Sequence, residues 1–235
     1  MRLTNRTSWN GLAATLLLLL LGACAHLAPQ PGEDAGMPIR MVPSARPSPV
    51  LAVWYTGDGG FGATDLRIMQ ALADRDFTVV GVDSRKYFWR ERSPEGAAGD
   101  LEALVARYGE AQGRPQLVLV GYSFGGAALP LIVARLSTAA RARLRLVALV
   151  APSRRGQLVM RPWNWLEIMG PHSHPTTRTV PAMGDAPVLC VYGDTDPLAA
   201  CPYLPALPQV RVPGGHLFKG QAEAVAAAIA RQVPQ

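Results

Sequence analysis

A serine between two glycines is the first feature of this sequence that could do chemistry. Ser123 is the central residue of a G-x-S-x-G pattern running from Gly121 to Gly125, with an apolar run at 117–120 directly before it. In a tight strand-to-helix turn this pattern presents the hydroxyl as a nucleophile, and the glycines avoid clashes with neighbouring elements. A helical apolar pattern follows at 125–136. This context favours a nucleophile over an incidental serine in a glycine-rich turn.

A nucleophilic serine needs a base, and the sequence offers four histidines. His216 follows the last predicted strand, where a loop can bring it over the sheet edge to Ser123, so we expect it to be the base. His26 lies in a proline-rich stretch near the start. His172 and His174 lie in a proline-bounded stretch and are an alternative metal pair. No Cys/His/carboxylate set with metal-ligand spacing accompanies them, so we expect no metal and no cofactor.

The acid that orients the histidine is expected after the preceding strand. Asp194 and Asp196 both follow the strand-ending Gly193. In hydrolases of this type the acid often stands three residues after that glycine, which favours Asp196 and leaves Asp194 as the alternative. The order Ser123, Asp196, His216 is the α/β-hydrolase order of nucleophile, acid and base.

An oxyanion hole would complete such a site. Residues 57–60 read G-D-G-G after the first strong strand, where this fold supplies one backbone N–H. We expect Asp58 or Gly59 to give that donor and Phe124, directly after the nucleophile, to give the second. A phosphate-binding loop is the alternative, but the stretch has neither a P-loop ending nor a G-x-G-x-x-G pattern.

The elements around these residues alternate regularly. Strands are predicted at 50–55, 77–82, 117–120, 144–150, 187–192 and 210–212, and helices at 65–73, 101–108, 125–136 and 222–231. The stretch 39–42 can add an edge strand. Short apolar strands separated by helices indicate a mostly parallel sheet covered on both faces, with working groups at the carboxyl ends of the strands. We therefore predict one α/β-hydrolase domain over 38–235 with a minimal cap.

Composition excludes several classes of protein. The chain has 235 residues, of which 49% are hydrophobic and 17% charged, and this excludes a disordered protein. The net charge of +6 is diffuse and no Lys/Arg-rich block occurs, so we expect no nucleic-acid partner.

The amino terminus has the pattern of an export signal. Arg2 and Arg6 precede an apolar run at 11–25 that is shorter than the roughly 20 residues a membrane-spanning helix needs. The run ends in Leu-Gly-Ala-Cys at 21–24, which resembles the bacterial lipobox and predicts a lipid on Cys24. An ordinary secretory signal and a retained anchor are the alternatives.

The predicted organisation is a signal peptide at 1–23, a proline-rich tether at 24–37 and the hydrolase domain. The location would be the periplasmic side of a bacterial membrane. Ala25 after the cysteine favours the outer membrane. The segment 152–185, with Trp163, Trp165 and Leu166, is read as a small cap or interfacial lip.

Several stretches together resemble the bacterial virulence protein family typified by VirJ and the carboxyl-terminal half of AcvB. The matching stretches are 55–60, 80–84, 87–89, 121–125, 189–193 and 213–216. The combination of Gly-Asp-Gly-Gly with Tyr-Phe-Trp is more specific than the serine motif alone. Phe61, Ala127 and Leu217 depart from the family pattern, in which tryptophan, an acid and histidine are common.

The resemblance implies a periplasmic serine hydrolase. Related AcvB-like proteins hydrolyse aminoacyl-phosphatidylglycerol, notably its lysyl ester, so an aminoacylated phospholipid is the expected substrate. A general small-acyl esterase, lipase or thioesterase is one alternative. A non-catalytic periplasmic adaptor that binds secretion-system proteins is another.

The resemblance, and the charges of the substrate that it implies, suggest roles for individual residues. It implies a disulfide between Cys190 and Cys201 that holds the acid loop, with two buried thiols as the alternative. Acidic residues at the mouth, Asp58 and Asp83, would bind the amino groups of a lysyl ester. Arg154 and Arg155 would contact a lipid phosphate, and ordinary solvated charge is the alternative for all four.

Overall fold

The central strands are buried on both faces, and this burial determines the architecture. In the computed structural model, which describes residues 33–34, 36–161 and 172–233, every residue of Val50–Tyr55 is buried. Val50, Ala52 and Trp54 belong to one apolar cluster, and the residues between them belong to a second cluster on the opposite face. Successive side chains of a strand point to opposite faces, so a continuous apolar strand requires cover on both sides.

Ten strands and seven α-helices are described. The strands are β1 Glu33–Asp34, β2 Met37–Val42, β3 Val50–Tyr55, β4 Thr78–Val82, β5 Gln116–Tyr122, β6 Leu144–Val150, β7 Arg155–Gly156, β8 His174–Pro175, β9 Val188–Gly193 and β10 Gln209–Val212. The helices are α1 Ala63–Ala73, α2 Ser84–Tyr87, α3 Pro94–Tyr108, α4 Phe124–Val133, α5 Thr138–Arg143, α6 Thr176–Thr179 and α7 Ala222–Ala230.

Eight of the strands form one sheet in the order β1-β2-β4-β3-β5-β6-β9-β10. The six strands from β4 to β10 in this order are parallel, while β2 pairs antiparallel with β4 and β1 pairs antiparallel with β2. The remaining strands, β7 and β8, form a separate antiparallel pair. The carboxyl ends of β3, β4, β5, β6, β9 and β10 therefore meet at one edge.

Helices cover both faces of this sheet. Buried residues of α3 and α4 belong to the cluster that contains Tyr55, and buried residues of α1 and α7 belong to the cluster that contains Trp54. Helix α3 begins with Pro94 at its first turn, and the Ser93 hydroxyl accepts a hydrogen bond from the Gly96 N–H. A proline in the first turn and a serine cap are both favourable at a helix start.

The predicted fold class is confirmed, and the start of the sheet differs from the prediction. The stretch 39–42 is part of a strand that begins at Met37, and Glu33–Asp34 pairs with it, so sheet pairing begins before residue 38. The described residues belong to one compact unit that begins at Glu33. Among the described residues, no helix combines the length and hydrophobicity needed to cross a membrane. The predicted signal peptide lies outside the described residues, as do Cys24 and His26 of the predicted tether and Trp163, Trp165 and Leu166.

A disulfide joins β9 to the turn beyond the acid loop. Cys190 and Cys201 are bonded, as the family resemblance implies, and their Cα atoms are 5.7 Å apart. Both residues are buried in the core. The bond closes a short loop that contains Asp194 and Asp196, so it restricts the conformations open to the segment carrying both acids.

Reducing this disulfide is expected to lower the free energy of unfolding by about 2–3 kcal/mol, because the cross-link restricts the unfolded chain. Urea denaturation with and without dithiothreitol measures the effect. The Cys190→Ala/Cys201→Ala double variant is the control and should be less stable and insensitive to the reductant. Equal unfolding free energies with both thiols shown free by alkylation would contradict the expectation.

Candidate active site

Ser123 lies on a strained turn between β5 and α4. Its backbone has φ 52° and ψ −112°, a left-handed conformation that is rare for a residue with a side chain. The flanking glycines are needed for close approach. A Cβ on Gly121 would lie 2.5 Å from the Gly125 carbonyl oxygen, and one on Gly125 would lie 2.4 Å from the Tyr55 carbonyl oxygen. The G-x-S-x-G spacing thus reflects real contacts in the turn.

Backbone hydrogen bonds hold the serine in this conformation. The Ser123 N–H donates to the Val150 carbonyl at 2.9 Å, which ties the turn to the end of β6. The Ser123 carbonyl accepts from the N–H groups of Ala127 and Ser153, each at 3.1 Å. These bonds to the neighbouring strand, helix and loop offset the strain of the turn.

His216 bridges the serine and an aspartate. Its Nε2 lies 2.9 Å from Ser123 Oγ, and its Nδ1 lies 2.8 Å from Asp196 Oδ2. A carboxylate can only accept, so the neutral ring carries its proton on Nδ1 and Nε2 is left to accept from the serine hydroxyl. This arrangement can remove the hydroxyl proton during nucleophilic attack.

The two aspartates after β9 have different contacts. The Asp196 side chain is fully buried, and its second oxygen accepts the Leu198 N–H at 2.9 Å. Asp194 is exposed, and its carboxylate accepts the Gly214 N–H at 2.8 Å. Of the two candidates, Asp196 is therefore the one that contacts His216, and Asp194 instead shapes the loop before the histidine.

The histidine loop is also held from the other side. The Tyr122 hydroxyl donates to the His216 carbonyl at 3.1 Å, and the two rings lie 5.6 Å apart. Burial raises the pKa of Tyr122 well above its usual value, which keeps the hydroxyl protonated as a donor. The Thr64 hydroxyl donates to the Leu217 carbonyl at 2.9 Å. Tyr122 and Thr64 are positioning residues that the sequence analysis did not identify.

The backbone that leads to the first predicted oxyanion donors, Asp58 and Gly59, passes next to the serine. A Cβ on Gly57 would lie 3.6 Å from Ser123 Cβ, so the backbone before Asp58 passes directly beside the nucleophile. Asp58 and Gly59 are exposed in the turn that follows. Phe124 is the first residue of α4, where N–H groups have no partner within the helix.

A buried carboxylate below this turn was not predicted. Asp65 is 3% exposed, and its Oδ1 accepts from Trp54 Nε1 at 3.0 Å and from the Gly57 N–H at 3.3 Å. Burial raises its pKa to about 6, against the smaller opposing effect of these hydrogen bonds. In the sequence Asp65 is an acidic residue in the first turn of a predicted helix, where acids are common. The sequence pattern does not indicate its hydrogen bonds to Trp54 and Gly57.

The residues predicted to contact the substrate differ in the bonds that they make within the protein. Asp83 is buried, caps α2 by accepting the Lys86 N–H at 3.0 Å, and lies 3.9 Å from the Lys86 ammonium. The Arg154 guanidinium donates to the Pro197 carbonyl at 2.6 Å and lies over the Tyr203 ring. Arg155 donates twice to Ser173. Both arginines line a surface depression of about 300 Å³.

The predicted histidine pair is not part of a metal cluster in the described residues. His172 lies 3.6 Å from a Glu91 carboxylate oxygen, and His174 belongs to β8. Within the described ranges, no three or more His, Cys, Asp or Glu side chains are grouped as metal ligands would be.

The sequence profile of the bacterial virulence protein (VirJ) family matches residues 49–235. The chain belongs to the VirJ family. This match includes every residue of the hydrogen-bond chain from Ser123 through His216 to Asp196. No curated protein is similar enough in sequence to count as a match.

Solved structures share the fold of this VirJ-family chain at low sequence identity. Est1E from Butyrivibrio proteoclasticus is 15% identical, with a TM-score of 0.57 over 85% of this chain and 94% of that one. The esterase domain of a Rhodothermus marinus protein is 19% identical, with a TM-score of 0.55 over 82% and 92%. XC6422 from Xanthomonas campestris, an α/β serine hydrolase without a lid, is 19% identical, with a TM-score of 0.52 over 83% and 87%.

The contacts of the two aspartates give a direct test. Asp196→Asn should slow labelling of Ser123 by a fluorophosphonate by on the order of 10⁴-fold, because a neutral amide no longer holds the Nδ1–H tautomer of His216. Asp194→Asn is the matched control and should label within a few-fold of the wild-type rate. Equal labelling rates for the two variants would remove Asp196 from the site.

Proposed function

We propose that this chain is a serine ester hydrolase. The observation that carries the proposal is the hydrogen-bond chain from Ser123 Oγ through His216 to Asp196, centred on a serine held in a strained turn. Strain of this kind persists where the surrounding structure enforces it, and it is common at catalytic positions. Membership of the α/β-hydrolase fold supports the proposal but does not by itself specify an activity.

In the first half of the reaction, Ser123 Oγ attacks the carbonyl carbon of the ester. Its proton passes to His216 Nε2, and the buried Asp196 carboxylate stabilises the resulting imidazolium. The N–H groups of Asp58 or Gly59 and of Phe124 donate hydrogen bonds to the negatively charged carbonyl oxygen. Collapse of this intermediate breaks the ester bond, and His216 gives the proton to the leaving alcohol.

In the second half, water replaces the alcohol. His216 removes a proton from the water as it attacks the acyl group on Ser123, and the same N–H donors stabilise the second oxyanion. The proton then returns to Ser123 Oγ as the acid leaves. The products are one alcohol and one carboxylic acid, and the chain returns to its starting state without any cofactor.

The substrate we propose is the aminoacyl ester of phosphatidylglycerol, lysyl or alanyl. The resemblance to AcvB-like proteins supports this class. The exposed carboxylate of Asp58, directly after the backbone that passes Ser123, is suited to the ammonium of an aminoacyl group. Arg154 and Arg155 remain candidates for the lipid phosphate through the depression that they line. Asp83 is not among the proposed substrate contacts, because it is buried as a helix cap.

A lipid on Cys24 would keep the enzyme at its substrate. The charged-then-apolar order before residue 24 and the lipobox pattern support this anchor. Several acyl chains hold a protein more firmly than one, because each buried methylene contributes about 0.8 kcal/mol. We propose that the domain lies on the periplasmic side of a bacterial membrane, the outer one favoured.

Hydrolysis of small acyl esters is the second candidate activity. It is favoured by the fold shared with an esterase domain and with a serine hydrolase that has no lid. Rapid turnover of short p-nitrophenyl esters with no amino acid release from aminoacyl-phosphatidylglycerol would decide for this activity.

The purified full-length protein in detergent micelles is expected to release lysine or alanine from the corresponding aminoacyl-phosphatidylglycerol, measured by mass spectrometry. Ser123→Ala should abolish the release, because it removes the hydroxyl that attacks the ester. Ser153→Ala, a nearby serine that contacts Ser123 only through its backbone, is the matched control. Labelling of Ser123 by a fluorophosphonate without release of either amino acid would reject the proposed substrate.

Membrane attachment through Cys24 is tested by Cys24→Ser. The wild type is expected to partition into the detergent phase of Triton X-114 and to incorporate labelled fatty acid, because the cysteine carries the lipid. Cys24→Ser should do neither, while Ala25→Ser should behave as the wild type. Fatty-acid labelling that persists in Cys24→Ser would contradict the lipobox assignment.

A further inference from the structure

Asp65 is a buried carboxylate whose hydrogen-bond partners lie at the carboxyl end of β3, at the same edge of the sheet as Ser123. It lies in the first turn of α1 and is 3% exposed. None of the ion pairs found among the described residues includes it. A buried carboxylate without a cation is costly, so its retention calls for a specific role.

The Asp65 carboxylate contacts both ends of one loop. The Gly57 N–H donates to Oδ1 at 3.3 Å, and a Cβ placed on Gly62 would lie 3.4 Å from Oδ2. The indole N–H of Trp54, on β3, is a second donor to Oδ1 at 3.0 Å. One side chain therefore hydrogen-bonds the start of the loop 57–62 and the end of β3 and packs against the end of the loop.

This loop carries the first oxyanion donor of the proposed reaction. The Gly57 backbone passes beside Ser123, as shown by the 3.6 Å between a Cβ placed on Gly57 and Ser123 Cβ. Fixing the Gly57 N–H on Asp65 fixes the Thr56–Gly57 peptide, which immediately precedes the peptide that carries the Asp58 N–H. The orientation of an oxyanion donor matters because misplacement by a fraction of an ångström weakens its hydrogen bond to the transition state.

We propose that the ionised carboxylate of Asp65 is a positioning residue for the oxyanion hole, holding the loop 57–62 so that its backbone N–H groups face the ester oxygen at Ser123. The inference rests on the proposed ester hydrolysis. It adds a residue that does not touch substrate and acts through the backbone of Gly57.

Protonation of Asp65 would weaken this hold. A carboxylic acid accepts more weakly than a carboxylate, and its O–H must itself find an acceptor where Trp54 and Gly57 present N–H donors. Burial raises the pKa to about 6, so the change falls within an accessible range. The titratable group facing Asp65 from β5 is Tyr122, which is also in the field of Asp58 and Asp196 and stays protonated.

The test uses the full chain in micelles, a soluble p-nitrophenyl ester, and fluorophosphonate titration to count working sites. In Asp65→Asn, kcat per titrated site should fall about 10- to 100-fold at pH 8 with KM within about two-fold, approaching the loss of one oxyanion donor. Asp74→Asn, an exposed acid at the end of the same helix, is the control and should retain wild-type values.

The pH profile separates positioning from a purely structural role. Below about pH 6, log kcat/KM should fall more steeply with decreasing pH in the wild type than in Asp65→Asn, because only the wild type has the Asp65 carboxylate to protonate. Asp65→Glu, which restores a carboxylate, should recover part of kcat and the steeper slope.

An Asp65→Asn variant with wild-type kcat per titrated site and an unchanged slope would overturn the proposal. The variant is expected to fold, because it replaces a buried charge with a neutral amide of the same shape. If the wild type hydrolyses the p-nitrophenyl ester but releases no amino acid from aminoacyl-phosphatidylglycerol, the proposed substrate is rejected. The kinetics of the Asp65 variants on the p-nitrophenyl ester then still decide the role of Asp65. A wild type that neither labels nor hydrolyses any ester would overturn both proposals.

Discussion

The turn at Ser123 depends on how closely α4 approaches the ends of β3 and β5. The approach is possible only because Gly121 and Gly125 have no side chains, since a Cβ on either would overlap backbone atoms. The same approach forces Ser123 into a left-handed conformation, which backbone hydrogen bonds from β6 and its following loop maintain. The hydroxyl is thereby raised above the sheet edge, where the loops after β9 and β10 can reach it. Every other part of the proposed site is placed relative to this turn.

Two buried carboxylates support the site from opposite sides. Asp196 faces His216 and is satisfied by that ring and by the Leu198 N–H. Asp65 faces the loop 57–62 and is satisfied by neutral N–H donors alone. Its folded pKa of about 6 lies above the ordinary 3.8, so the protonated form stabilises the fold below about pH 4 and this contribution is lost as pH rises through 6. At neutral pH the ionised group costs about 3 kcal/mol, a burden expected at a functional site.

The rest of the fold supplies rigidity to loops that carry the chemistry. Strands buried on both faces leave little freedom at the sheet edge, and the Cys190–Cys201 bond restricts the loop that carries the two acids. Tyr122 and Thr64 bind the backbone of the histidine loop from β5 and α1. Binding and catalytic groups on loops need a rigid scaffold. The proposed reaction therefore depends on these contacts as well as on the side chains that would react.

The sequence by itself determined the sheet, the serine turn and the order of the candidate residues. Alternating apolar strands and helices leave few possible sheet arrangements. The glycines around Ser123 indicate a tight strand-to-helix turn without reference to distant residues. Only the tertiary structure decided between Asp194 and Asp196, which lie two residues apart and differ in which loop they meet. It alone showed Asp83 as a buried cap and Asp65 as a partner of Gly57. Hydrogen bonds such as those of His216 join residues 93 and 20 positions apart, so they form only once the sheet has brought its strand ends together.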